Sequence, residues 1–179
     1  MKNEGSGTKL VVVLVGMAMA AGVASWCYQY ETTHQATEFW GEQVAPLIAR
    51  PSRVEIMQFE PPVVGIEPLW QPEALSEPRD LSKVRGMVHL RHVLFGDKNY
   101  HWEKSIDPAE VTWGWRLEFA AGDQSALIVL AHDFRSIGHL DSKAQRVQIA
   151  SCQPMQATLR KYFADIGLLD ANQAASIPE

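Results

Sequence analysis

The sequence predicts an α+β fold: an N-terminal transmembrane helix, then one domain with a mainly antiparallel sheet of four to five strands flanked by helices. Three observations carry that reading. Residues 10–30 hold no charge and are mostly apolar. Residues 112–150 alternate or run apolar over strand-length stretches separated by turn residues. Helical periodicity brackets that block on both sides.

The apolar run, "LVVVLVGMAMAAGVA" with its continuation to Tyr30, matches the roughly 20 residues a helix needs to cross a hydrocarbon core of about 30 Å. Trp26, Tyr28 and Tyr30 suit an aromatic belt at its far end. Lys2 and Lys9 precede the run and Glu31 succeeds it, so the positive-inside rule puts residues 1–9 in the cytoplasm and the domain outside it, on a single pass through the inner membrane. Two alternatives share the export but not the anchor. Ala18–Ala20 and Gly22–Ala24 offer the small residues a signal peptidase requires, and Cys27 comes after small residues as a lipidated cysteine would, although Trp26 sits where a small residue belongs.

The exported part spans residues 31–169, with 170–179 as a frayed tail. "ETTHQATEFWGEQVAPLIA" predicts a helix with Phe39, Trp40, Val44, Leu47 and Ile48 on one stripe, interrupted late by Pro46. "RVEIMQFE" predicts a short strand, and the proline-rich 61–79 an extended surface loop docked by its apolar residues, with Trp70 as a candidate partner contact. Asp80 or Ser82 would cap a helix reaching Phe95, with Gly96 as its stop.

"VTWGWRLEF" predicts a strand with Trp113, Trp115, Leu117 and Phe119 on one face. Gly122-Asp123 would turn it into "SALIVLAHDF", whose continuous apolar run over Ala126 to Ala131 suits a strand covered on both sides. "SIGHL", a turn near "DSKA" and "RVQIA" extend the meander. Ser151 would cap a last helix with Met155, Leu159, Tyr162, Phe163 and Ile166 buried.

Charge excludes one class of function. Net charge is −5, with no run of lysine or arginine, so a nucleic-acid partner is disfavoured. The two cysteines, Cys27 and Cys152, imply neither a disulfide framework nor a CxxC redox site. No glycine-rich phosphate loop, GxSxG or HExxH motif occurs, and no cofactor is implied.

The densest chemistry is "HLRHVLFGDKNYHWE". His89 and His92 at i, i+3 share a helix face and, with His101, are the metal-ligand candidates. His132-Asp133 offers a base and a carboxylate, but neighbours on a strand point to opposite faces. Cys152 by a helix start reads either as an activated thiol or as a small buried hydrophobe. Arg91 and Asp97 suggest a structural ion pair around the helix end.

The succession of an apolar anchor, "ATEFW", "RVEIMQF", "GMVHLRHVLFGDKNYHW", a "WRLEF…ALIVL" hairpin and a terminal helix resembles small membrane-anchored proteins of unknown function from planctomycete bacteria. The resemblance implies the layout of anchor plus domain and carries no activity or site residue. The function expected from the sequence is a membrane-tethered, non-enzymatic binding module at the cell envelope. Its partners would be the lipid bilayer, through residues 10–30, and an envelope protein. The alternative is a histidine-dependent hydrolase or metal-binding enzyme.

Overall fold

A computed structural model describes residues 5–70, 75–141 and 146–169. The tail 170–179, the turn near "DSKA" and the first four residues lie outside the described residues.

The chain is α+β. One long helix, α1 (Gly5–Ala49), leads into β1 (Arg53–Val64), β2 (Arg79–Asp80), α2 (Met87–Leu94), β3 (Thr112–Ala121), β4 (Gln124–Ala131), β5 (Ser136–Asp141), β6 (Arg146–Ser151) and α3 (Gln156–Asp165). The strands form one antiparallel sheet in the order β2-β1-β3-β4-β5-β6. It has six strands because the two-residue β2, where the expected proline-rich loop 61–79 meets the expected helix cap Asp80, pairs Arg79 and Asp80 with Ile56 and Glu55.

The apolar segment and the first domain helix are continuous. α1 passes through Pro46 and breaks its helical geometry at Gly41, with φ 70° and ψ 172°. That region of backbone space is essentially reserved for glycine. From Leu10 the helix is long and apolar enough to cross a membrane, and Leu10–Tyr30 touches nothing else in the fold closely enough to be buried.

The sheet is apolar on both faces. On one, Ala36, Trp40 and Ile48 of α1, Leu90 and Leu94 of α2, and Leu159 and Phe163 of α3 cover Ile56, Trp115, Leu117, Phe119, Ile128 and Leu130. On the other, Phe59, Leu69, Trp113, Val129, Ala131 and Leu140 form a second core, with Trp70 and Val63 packed against it. β4 therefore needs apolar residues at both parities, as its continuous run requires.

Trp113 corrects the expected single-face pattern. Trp113 pairs with Ala131 and Trp115 with Leu130, so Gly114 is an extra residue on β3. Such a bulge flips every side chain beyond it to the opposite face. A Cβ at Gly114 would lie 2.8 Å from the His132 Cα, so only glycine fits there. Opposite it, β1 loses register between Gln58 and Val63. Pro61 and Pro62 sit in that irregular stretch, where no ladder amide is demanded of them, and β1 continues to Val64 instead of ending before the prolines.

Two helix starts also differ from expectation. α2 begins at Met87, because the Asp80 carboxylate accepts from the amide of Ser82, 2.7 Å away, and so closes a turn instead of capping a helix. Ser151 ends β6. A 3-10 turn at Gln153–Met155 precedes α3, which has no side-chain cap.

Candidate functional site

The junction between α1 and the sheet is built by groups that satisfy a broken helix. At Gly41 the ladder of α1 is interrupted, and carbonyls just before such a break need outside donors. The buried His139 ring donates from Nε2 to the Phe39 carbonyl at 3.0 Å. Trp40 Nε1 donates 2.9 Å to the Leu94 carbonyl, which also accepts from the Tyr100 hydroxyl at 2.7 Å. The Asp97 carboxylate accepts from the amides of Ala36, at 2.7 Å, and Gln35, at 3.2 Å. Asp97 is thus not paired with Arg91, whose Nη1 donates to the Ala49 carbonyl 2.8 Å away. Phe39, Tyr100, Trp102 and His139 complete an aromatic cluster, with Tyr100 and Trp102 stacked at 4.4 Å.

The expected histidine cluster is distributed. His89 and His92 are both on α2, and His89 lines an open groove of about 790 Å³ between the start of α2 and the end of α3. His101 lies in the loop beyond, its amide donating 2.9 Å to the Ser151 carbonyl. With Gln35, Trp102 and Lys104 it lines a different recess of about 500 Å³. Among the described residues no three His, Cys, Asp or Glu side chains converge as a metal site would require. Asp133 engages its own turn, accepting from the Arg135 amide at 2.9 Å, while the Asp133 carbonyl accepts from Gln156 Nε2 at 2.7 Å. Cys152 is buried, and desolvation, the larger cause, pushes its thiol well above the ordinary range. It is a packed thiol rather than an activated one.

The groove gathers residues that no sequence motif announces. Arg79 comes from β2, Arg85 and Gly86 from the approach to α2, and Thr158, Lys161 and Tyr162 from α3. Their separation along the chain leaves no basic run to read. The Arg79 guanidinium donates to the carbonyls of Ile166, at 2.7 Å, and Gly167, at 3.4 Å, tying the end of α3 to the sheet edge. Lys161 pairs with Asp165 at 2.8 Å. Trp70, the expected partner contact, is half-buried against the second core, beside the fully buried Leu69.

Compared with family models, with curated proteins and with solved structures, the chain matches none.

Proposed function

We propose that this chain is a single-pass, membrane-tethered binding module, with residues 1–9 in the cytoplasm, residues 10–30 in the inner membrane and the domain on the outer side. The observation that carries this reading is the fate of Leu10–Tyr30. The fold leaves every one of these residues exposed while the same helix, without a break, enters the core at Ala36 and Trp40. An exposed apolar helix of this length has its natural solvent in lipid.

The stand-off is short. From Tyr30 to the Asp97-bound amides of Gln35 and Ala36 is five or six residues, about 8–9 Å of helix. The headgroup layer on each side of a bilayer is about 5–7 Å deep. A domain held this way rests on the membrane surface, its loop 96–104 nearest to the lipid. A binding role rather than a catalytic one is supported by the dispersed histidines and by the raised, buried Cys152 thiol.

Fractionation and topology test this together. In a bacterial host the full chain should pellet with membranes after alkaline carbonate washing. Asp123→Cys, on the exposed β3–β4 turn, should react with an impermeant maleimide applied from the periplasmic side. A soluble product shortened at Ala20 or Ala24, or a cysteine labelled only after lysis, would overturn the reading.

A further inference from the structure

We infer that the groove between the start of α2 and the end of α3 binds a phosphoryl group, carried on a lipid headgroup or on a soluble phosphate ester. The inference deepens the binding-module reading and rests on it for the groove's role as the ligand site.

Charge is the first argument. Three permanent cations, Arg79, Arg85 and Lys161, meet one carboxylate, Asp165, on a chain whose net charge is −5. Arg79 and Lys161 are partly engaged, with the α3 carbonyls and with Asp165. Arg85 is exposed and makes no hydrogen bond or ion pair among the described residues. Its planar fork is therefore open for the bidentate contact that guanidinium makes with phosphate oxygens.

The helix start is the second. α2 opens at Gly86, φ 92°, with no side chain capping its first-turn amides. The Met87 amide donates to the Val84 carbonyl at 3.3 Å, so among the described residues the amides of Val88 and His89, with the positive end of the helix, are what favour an anion there.

Tyr162 is the third, and it is independent of charge. The residue is only 8% exposed, and its hydroxyl has no hydrogen-bond partner among the described residues. A buried hydroxyl is ordinarily satisfied. Its ring edge lies 2.9 Å from where a Cβ on Gly86 would stand, which brings the hydroxyl end of the ring to the start of α2. Gly86 thus gives Tyr162 its room, and the groove wall holds a buried, unpartnered hydroxyl near the start of α2.

Val84 and Ile166 add apolar lining, and the groove is far larger than a bare phosphate. The ligand that fits is a phosphoryl head with an organic body.

The test uses the full chain in maltoside micelles, which contain no phosphate. One arm is titrated with glycerol 3-phosphate, the other with short-chain phosphatidylglycerol. The amide resonances of Gly86 and Thr158 are tracked together with the binding isotherm. The expected result is saturable binding in at least one arm, with both resonances moving. Arg85→Gln should weaken it about tenfold, since a charge-assisted pair is lost, and Tyr162→Phe should weaken it with the fold intact. The arm that saturates identifies the source of the phosphoryl group. No saturation in either arm up to about 10 mM, or equal binding by wild type and Arg85→Gln, would overturn the inference. Binding of glycerol 3-phosphate by a chain that fails to pellet with membranes would keep the groove and refute the tether.

Discussion

Cys152 is fully buried, its thiol 3.3 Å from the Phe134 carbonyl, and burial raises its pKa. The Tyr100 hydroxyl is raised by the same cause. A group whose folded pKa lies above its unfolded value binds its proton more tightly in the folded state, so stability falls once pH exceeds the unfolded pKa. For a thiol that value is about 8.5, and for a tyrosine about 10. Urea midpoints of the full chain in mild detergent should therefore hold steady through neutral pH and decline above about 8.5. Cys152→Ala should delay the decline to about 10; an unchanged profile would refute the assignment. Native Cys152 should also resist thiol reagents until the chain unfolds. Gly114 makes a second prediction at this scale. Gly114→Ala drives a Cβ into the His132 backbone and should cost about 1–3 kcal/mol, read from the same urea midpoints.

Among the elements, legibility tracks locality. The β3–β4 hairpin is readable because Gly122-Asp123 sits between two apolar runs, and the structure turns there with Gly122 at φ 59°. The α3 stripe is readable from spacing alone, with Leu159, Tyr162 and Phe163 all buried. The face of Trp113 is not, because strand alternation assumes an unbroken register and the Gly114 bulge is set by packing against His132. Nor is the extension of β1 through Pro61-Pro62, which depends on a matching irregularity opposite β3. The groove is illegible for another reason: Arg79, Arg85 and Lys161 meet only after β2, α2 and α3 are assembled. The break in α1 is hidden because Pro46 is the obvious helix breaker, whereas the backbone turns at Gly41. Gly41→Ala should cost about 1–3 kcal/mol through its glycine-only geometry. Trp40→Ala, which empties the core and leaves the Leu94 carbonyl with the Tyr100 hydroxyl as its one side-chain donor among the described residues, should cost about 3–5 kcal/mol. If the two midpoints came out in the opposite order, the packed Trp40 would not be the principal clamp on α1.

For the molecule as a whole, the fold joins an exposed apolar helix to a two-faced sheet without an intervening linker. Asp97, His139 and Trp40 hold the helix where it enters the domain. Such a joint fixes the domain's height above whatever surface the helix is embedded in. The proposed phosphoryl groove and the loop at His101 are then both presented at a set distance from that surface. Depth is the direct measure of this arrangement. Nitroxide labels at Val15→Cys and His101→Cys, in a Cys27→Ser chain reconstituted into vesicles, can be compared for their accessibility to oxygen and to a water-soluble nickel chelate. Val15 should read as lipid-buried. His101 should fall between Val15 and a free nitroxide in buffer, in the headgroup layer. A His101 label as accessible to nickel as the free nitroxide, with Val15 still buried, would contradict a domain seated on the membrane.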